Sequence, residues 1–158
     1  MTTSTTTTPT VFADIETFCD AVGTQLGVGE WFTVDQDRIS AFADVTEDWQ
    51  WIHVDQERAA AGPYGATVAH GYLTLSLIPR LGGEIFRVEG VGMQVNYGIN
   101  KVRFPHPVTV GARIRAAATL LSTQRSPHGV QAVVRYTIEI EGQDKPACVA
   151  ETLRLLVP

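Results

Sequence analysis

The sequence predicts an α+β fold in which an antiparallel sheet curls around one buried central helix. Residues 70–81 are apolar on nearly every helical face, which is typical of a helix enclosed by a core. The chain after this helix is rich in valine, isoleucine, tyrosine and threonine, in segments separated by glycine, proline and serine. Successive strands of this kind favour an antiparallel sheet, and the apolar helix is the element on which that sheet would pack.

The first part of the chain is predicted to be mainly helical. The expected elements are a helix over residues 11–22, a strand over 31–34, a helix over 35–46, a loop over 47–53, a helix over 55–61 and a loop over 62–65. Thr33 and Gln36 have the spacing of a capping box for the second helix. Asp55 is expected to cap the third helix.

The second part supplies the buried helix and the sheet. The expected elements are the helix over residues 70–81 and strands over 90–97, 100–104, 113–123, 130–141 and 147–157. Pro79 should bend or end the helix, because proline lacks the amide hydrogen that an interior helical turn requires. Val134, Tyr136 and Ile138 alternate with polar residues, which predicts that one face of their strand is buried.

Length and composition favour one soluble domain. The chain has 158 residues, of which 44% are hydrophobic, and a chain of this length can bury roughly 68–70% of its unfolded surface. We expect a single domain over residues 11–158, preceded by a disordered, threonine-rich tail over residues 1–10. The tail lacks the features of a secretory signal, and no apolar run reaches the ~18 residues that span a membrane. These observations predict a cytoplasmic protein without a membrane partner.

The charge distribution excludes one class of partner. The formal net charge of -5 argues against nucleic acid, whose phosphates require a basic surface. The acids are concentrated in residues 1–60, with eleven carboxylates and two arginines, whereas residues 61–158 have ten basic and six acidic side chains. Cys19 and Cys148 are isolated, and no cluster has the spacing of a metal site, so we predict no metal and no other cofactor.

Three short segments carry residues suited to chemistry. Asp48 and His53 lie close together in the chain, and a loop would let both side chains reach one point and exchange protons with a substrate. Gly71 opens the buried helix, where its backbone N–H could hold an oxygen that becomes negative, or where it could simply permit close packing. His70 beside it could contact substrate or be a hydrogen-bonded core histidine. Residues 96–105 bring two amides and two cations to a strand break, either as a substrate site or as a β-bulge with solvated charges.

Together these segments resemble a known family. The pattern WQWIHVDQERAAAGPYG…VAHGYLTLSL is similar to the MaoC-like hot-dog hydratases, the (R)-specific enoyl-CoA hydratases, and especially to their nodulation-protein-N-like and 3-hydroxyacyl-thioester dehydratase subgroup. The resemblance extends over about residues 25–157. Many members have asparagine and proline at the positions of Gln50 and Trp51, so the loop differs here while the Asp48 and His53 positions match.

The resemblance implies a hot-dog fold, a reaction and a site. The family adds water reversibly to a trans-2-enoyl-CoA to give the (R)-3-hydroxyacyl thioester. In this chain Asp48 and His53 would hold the water and handle its protons, and the Gly71 N–H would bind the thioester oxygen. We also predict a homodimer and an acyl-CoA or acyl-carrier thioester as substrate. The further residues predicted to contact substrate are Gln50, His70, Tyr72, Asn96, Lys101 and Arg103.

Two other functions remain open from the sequence. Hot-dog thioesterases generally use a carboxylate on the long helix, but residues 70–83 contain none and Glu84 comes only at the end. A non-catalytic acyl-binding subunit would retain the fold without the chemistry, which the presence of Asp48 and His53 argues against. Lys101 and Arg103, together with Arg113 and Arg115, are candidates to bind the phosphates of CoA.

Overall fold

A six-stranded sheet and a set of short helices make up the fold. We describe residues 8–158 from a computed structural model of the protein. The helices are α1 (Ile15–Asp20), α2 (Gln36–Thr46), α3 (Trp51–Val54), α4 (Gln56–Ala60), α5 (Gly71–Ser76) and α6 (Ile78–Gly82). The strands are β1 (Thr10–Phe12), β2 (Gln25–Val28), β3 (Phe32–Thr33), β4 (Phe86–Val88), β5 (Met93–Arg103), β6 (Arg113–Ser126), β7 (Gly129–Ile140) and β8 (Cys148–Val157).

The main sheet is antiparallel and has the order β2-β6-β7-β8-β5, with β3 also pairing with β6. The long strands β6, β7 and β8 form its centre, and β5 lies at one edge, paired with β8. Strands β1 and β4 form a separate parallel pair. The predicted antiparallel sheet is therefore confirmed, and it packs against α5 and α6.

Small side chains on the sheet let these two helices approach closely. The buried face carries four alanines that are wholly inaccessible to solvent, at positions 116, 118, 132 and 150. Leu73, Leu77 and Leu81 of the helical segment belong to the same buried cluster. Gly82 lies directly against the ring of Tyr136 in β7. A sheet wrapped around a buried helical segment is the hot-dog arrangement that the sequence resemblance implies.

Several predicted boundaries in the first part of the chain are wrong. The first helix does not begin at residue 11, because Asp14 accepts the Thr17 amide at 2.7 Å and caps α1. Residues 1–7 of the predicted disordered tail lie outside the described residues. Thr10, which the prediction also assigns to the tail, belongs to β1 and pairs with Phe86. The second helix is capped by Asp35 rather than Thr33.

The predicted cap of α4 is confirmed, since the Asp55 side chain accepts the Arg58 amide at 3.0 Å. The predicted loop over 47–53 is wrong at its end, because α3 begins at Trp51 and carries His53. The strand β2 was not predicted, because the glycines at positions 23, 27 and 29 hide its apolar pattern.

Two differences concern the second part of the chain. The predicted helix over 70–81 is divided at Leu77 into α5 and α6, and Pro79 lies at the start of α6, where an absent amide hydrogen is tolerated. The strands predicted over 90–97 and 100–104 are one strand, β5, which absorbs extra residues in two irregularities. No helix in the described part of the chain is long and apolar enough to cross a membrane.

The contact between Gly82 and Tyr136 gives a test of this packing. A Cβ atom at position 82 would lie 2.6 Å from Tyr136 Cε1, and Tyr136 is fully buried. We expect Gly82→Ala to lower the free energy of unfolding by about 1–3 kcal/mol, because overpacking forces the core to shift. Gly98→Ala is the matched control, since a Cβ there meets nothing within 4 Å. Equal urea midpoints for the two variants would contradict the described packing.

Candidate functional site

His53 is held in one orientation and one tautomer. It lies on the single turn of α3 and is 7% exposed. Its Nδ1 atom is 2.6 Å from the backbone oxygen of Val68. A carbonyl oxygen can only accept, so Nδ1 carries the hydrogen and Nε2 of the neutral ring has a free lone pair. This is the form in which an imidazole can remove a proton from water.

Asp48 reaches the site because of the way α2 ends. Glu47, the residue at the C-terminal cap, has a φ of 59°, the left-handed conformation that turns the chain away from a helix axis. The amide of Asp48 then donates to Ala43 at 3.1 Å, which closes the last turn. The Trp49 indole donates to Asp44 at 2.8 Å and holds the following loop against α2. The Asp48 side chain is exposed to solvent.

His70 joins the two predicted catalytic residues. Its ring stacks on His53 with 3.7 Å between centroids and 22° between planes. Its Nε2 atom donates to the backbone oxygen of Asp48 at 3.0 Å, so it fixes the loop that carries the carboxylate. One side-chain atom from each of Asp48, His53 and His70 lies within 4.8 Å of the others. The structure thus brings together residues from two of the three segments that the sequence singles out.

A chain of partly buried hydrogen bonds also holds α3 in position. The Gln36 side chain donates to the backbone oxygen of His53 at 2.8 Å and accepts from the Thr67 hydroxyl at 2.5 Å. Thr67 is buried, and the next residue, Val68, both orients the His53 ring and donates its amide to Ile52 at 3.0 Å. Residues 67–69 and helix α2 therefore fix His53 through main-chain as well as side-chain contacts.

The surroundings of His53 favour its neutral form. Burial lowers the pKa of its imidazole, because removal from water penalises the charged ring. The nearby His70 lowers the pKa further. The hydrogen bond to Val68 and the negative charge of the Asp48 carboxylate both raise it, but they do not cancel the effect of burial. Since the net pKa lies below the ordinary value of 6.5, His53 is a neutral base at physiological pH.

The same three side chains are spaced closely enough to hold a metal ion. His53 Nδ1 and His70 Nε2 already bond to backbone oxygens, which leaves His53 Nε2, His70 Nδ1 and the carboxylate. A metal bond to imidazole lies in the plane of the ring, and two stacked rings do not easily direct their lone pairs at one point. The arrangement is better suited to proton transfer between Asp48 and His53.

Gly71 begins α5 directly after His70, where its N–H has no acceptor within the helix. A Cβ atom at this position would lie 3.1 Å from the Phe104 ring, so the glycine allows β5 to end close to the site. Tyr72 is 70% exposed and meets Phe104 edge-on at 6.4 Å. Gln50 is exposed in the loop between Asp48 and His53, and its side chain makes no cap to α3.

The remaining predicted contacts lie on β5, on two faces of the sheet. Asn96 pairs with Arg154 and lines a cavity against the helices. Lys101 and Arg103 pair with Glu151 and Val149, and all four line a groove with Arg135 and Thr137. Arg113 and Arg115, also considered for CoA phosphates, form ion pairs with Glu141 and Glu139.

Sequence reasoning did not find the groups that support the site. The Val68 carbonyl belongs to the main chain, so no residue type indicates its role. Gln36 was interpreted as part of a cap, whereas its side chain contacts Thr67 and the His53 backbone. Arg154 lies within the strand predicted over 147–157, and nothing in the sequence singles it out. The sequence does contain one indication of the role of Val68. Residues 68–70 lead directly into the helix that begins at Gly71, so backbone groups in this segment lie close to the start of that helix.

Comparisons with known proteins identify the family of the chain. The sequence profile of the MaoC like domain family matches residues 17–143. The chain is 50% identical over 143 residues to 3-hydroxyacyl-thioester dehydratase Z of Mycobacterium tuberculosis, covering 90% of this chain and 95% of the relative. It is 41% identical over 138 residues to Nodulation protein N of Rhizobium leguminosarum bv. viciae, covering 85% of this chain and 86% of that protein.

Solved structures show the same fold at lower identity. The (R)-hydratase from A. caviae involved in PHA biosynthesis superposes with a TM-score of 0.70 at 24% identity, over 85% of this chain and 96% of that one. The MaoC-like dehydratase from Rhodospirillum rubrum superposes with a TM-score of 0.71 at 20% identity, over 87% of this chain and 94% of that one.

The lowered pKa of His53 predicts a dependence of stability on pH. In the folded state the ring binds its proton less readily than in the unfolded chain, so its contribution is complete above about pH 6.5 and is lost as the pH falls below that value. We expect an NMR titration of the His53 ring to have its midpoint below 6.5. His53→Gln should flatten the loss of unfolding free energy below this pH. A midpoint at or above 6.5 would contradict the environment described for the ring.

Proposed function

The chain belongs to the MaoC-like family and is an enzyme of the hydratase and dehydratase class, and on this premise we propose that it adds water reversibly to a trans-2-enoyl thioester to give the (R)-3-hydroxyacyl thioester. The observation that carries the proposal is the approach of the Asp48 carboxylate to the ring of His53, whose Nε2 is left free because Nδ1 bonds to Val68. A relative with half of its residues identical is named for action on 3-hydroxyacyl thioesters, which supports the same substrate class here.

In the hydration direction, a water molecule between Asp48 and His53 loses a proton to His53 Nε2 as its oxygen bonds to the β-carbon. The electron pair of the carbon–carbon double bond moves to the α-carbon and is shared with the thioester oxygen. The Asp48–His53 pair then returns a proton to the α-carbon, so the product has gained one water. Groups that act as acid and base in this way contribute typically 10²–10⁴-fold to a rate.

The negative charge that develops on the thioester oxygen needs a hydrogen-bond donor. We assign this role to the backbone N–H of Gly71, because it lies at the first position of α5 next to His70 and lacks an acceptor within the helix. The mechanism needs neither a metal nor another cofactor, since the thioester itself makes the α-carbon acidic. His70 supports the pair by fixing the Asp48 backbone and packing on the His53 ring.

The acyl chain and its carrier would lie in opposite directions from this point. A cavity of about 270 Å³ between α5, α6 and strands β5 and β8 offers room for an acyl chain. Lys101 and Arg103 lie near the end of β5 that reaches Gly71 through Phe104, and we propose CoA as the carrier whose phosphates they bind. Thioester hydrolysis has no comparable support, because Glu84 is exposed beyond α6 and lies 3.9 Å from Arg80.

We propose further that the enzyme is a homodimer joined at strand β5. This strand ends the sheet, and an unpaired strand edge is open to pairing with another chain. Its segment also exposes large hydrophobic side chains, with Met93 54%, Tyr97 67% and Ile99 45% accessible. A second copy that extended the sheet would cover both the backbone edge and these side chains.

The compartment that we propose is the cytoplasm. Cys19 and Cys148 are free thiols, which fits a reducing environment. Burial raises the pKa of the Cys148 thiol to about 11, so this side chain stays protonated and unreactive within the core.

The proposed reaction can be tested with crotonyl-CoA by following enoyl absorbance and free thiol together. We expect absorbance to fall without thiol release, and Asp48→Asn or His53→Gln to lower kcat/KM by about 10²–10⁴-fold, because each removes one partner in proton transfer. Glu57→Gln and His128→Gln, which change exposed side chains outside the site, should retain activity. Thiol release would indicate hydrolysis, and full activity of either site variant would contradict the mechanism.

The proposed dimer predicts a sedimentation mass of twice 17.2 kDa in analytical ultracentrifugation. Tyr97→Asp should shift the protein towards the monomer, because it places a charge within the apolar edge. Val45→Asp is the matched control, since Val45 is 80% exposed on α2, away from this strand. A monomeric wild-type protein, or a Tyr97→Asp variant that remains dimeric, would contradict an interface at β5.

A further inference from the structure

The cavity between the helices and the sheet edge combines an apolar lining with a cation. Leu75, Ile78 and Pro79 line it from the helices, and Ile99 and Leu153 line it from the strands. Asn96 and Arg154 also line this cavity, and the two residues are directly opposed in the β5–β8 pairing. Paired residues of neighbouring strands project from the same face of a sheet, so the amide and the guanidinium lie side by side.

Arg154 faces the helices rather than the opposite side of the sheet. In the β7–β8 pairing it lies opposite Ala132, which is fully buried on the face that packs on α5 and α6. Its guanidinium donates to the Tyr136 hydroxyl at 3.1 Å and to the Gln94 side-chain oxygen at 3.2 Å. The guanidinium carbon is also 5.6 Å from the centre of the Phe86 ring. These contacts hold the head group in a fixed position and leave further N–H donors unused.

The positive charge of Arg154 has no negative partner in the described part of the chain. Six other arginines form ion pairs with glutamates, at positions 80, 87, 113, 115, 125 and 135. The acceptors around Arg154 are neutral, because Gln94 is an amide and burial raises the pKa of the Tyr136 hydroxyl above its ordinary value. A cation that is partly withdrawn from water without an anion is costly, and a ligand anion would compensate it.

The position of the cavity relative to the site identifies which part of a substrate would reach Arg154. Helix α5 begins at Gly71, and the cavity is lined from Leu75 to Pro79. At 1.5 Å per helical residue, this stretch lies roughly 6–12 Å along the helix from the thioester-binding end. A group that reaches Arg154 would thus be part of the acyl chain beyond the reacting carbons.

We propose that this enzyme acts on enoyl thioesters whose acyl chain carries a carboxylate at its far end, and that Arg154 and Asn96 bind this carboxylate. The inference rests on the proposed function for the reacting end of the substrate. Guanidinium and carboxylate groups match in charge and planar geometry, and the Asn96 amide can supply a further donor. A plain alkyl chain would fill the apolar lining but would leave the guanidinium without an anion.

A matched pair of eight-carbon substrates tests the proposal, namely trans-2-octenoyl-CoA and its ω-carboxyl analogue trans-2-octenedioyl-CoA. We expect the wild-type kcat/KM to favour the carboxylate substrate by roughly tenfold or more, as for a charge-assisted hydrogen bond that is partly shielded from water. Arg154→Met should remove this preference, and Arg154→Lys should restore part of it. Arg87→Met is the matched control, because Arg87 is exposed on β4 and pairs with Glu89.

Because both substrates are measured on one preparation of each variant, the ratio is independent of any loss of folded protein. A wild-type preference for the alkyl substrate, or an equal loss for both substrates in Arg154→Met, would overturn the proposal and assign Arg154 a structural role. The phosphates of CoA are the other anions that Arg154 could bind. The pantetheine thioesters of the same two acids lack these phosphates and therefore test this alternative. If the effect of Arg154→Met disappears when the CoA phosphates are absent, the residue binds phosphate, and the proposal is wrong.

Binding of saturated thioesters separates this proposal from the proposed reaction. Octanedioyl-CoA and octanoyl-CoA lack the double bond, so calorimetric titration reports their affinity without turnover. Tighter binding of octanedioyl-CoA that is lost in Arg154→Met supports the carboxylate site even if neither enoyl substrate is hydrated. Hydration of crotonyl-CoA with equal affinity for the two saturated thioesters would retain the reaction and overturn the carboxylate site.

Discussion

The hydrogen bond from His53 Nδ1 to the Val68 carbonyl is the interaction on which the site depends. At 2.6 Å it fixes the ring orientation and, by placing the hydrogen on Nδ1, leaves Nε2 free to accept a proton. Without it the ring could rotate or adopt the other tautomer, and Nε2 would no longer be held as the free acceptor. Burial acts in the same direction, since it lowers the pKa of the ring and keeps it neutral.

That hydrogen bond requires the segment before α5 to be rigid. Residues 67–69 are bound on both sides, because the Ala69 amide donates to Val108 and the Val110 amide donates to Thr67, while Val68 donates to Ile52. The hydroxyl of Thr67 then reaches the His53 backbone through Gln36. The loop from α2 is secured separately by His70, whose ring bonds to the Asp48 carbonyl. The Asp48 carboxylate and the His53 ring therefore come from different segments but are fixed by one short stretch of chain, residues 67–70.

The sequence was informative wherever a residue's own chemistry or periodicity determined the outcome. The alternation around Tyr136 indicated the buried face of β7, and Asp55 indicated the start of α4. The resemblance placed Asp48 and His53 on matching family positions. Predictions were wrong where the sequence offered two neighbouring residues for one role. Both Thr33 and Asp35 could cap α2, and in the structure the cap is Asp35. Backbone partners such as the Val68 carbonyl cannot be predicted from side-chain identity.

Two polar side chains along the same helical segment are incompletely compensated by the residues around them. Within the described residues, His70 Nδ1 is buried without a hydrogen bond, and the half-buried Arg154 donates to the neutral Tyr136 and Gln94 side chains but forms no ion pair. Natural sequences keep such costly features mainly where function requires them. His70 adjoins the start of α5, next to the reacting groups, whereas Arg154 faces the cavity beside the end of α5 and the start of α6. In the proposed reaction, these two side chains would lie at the two ends of one path along the helices, from the thioester to the far end of the acyl chain.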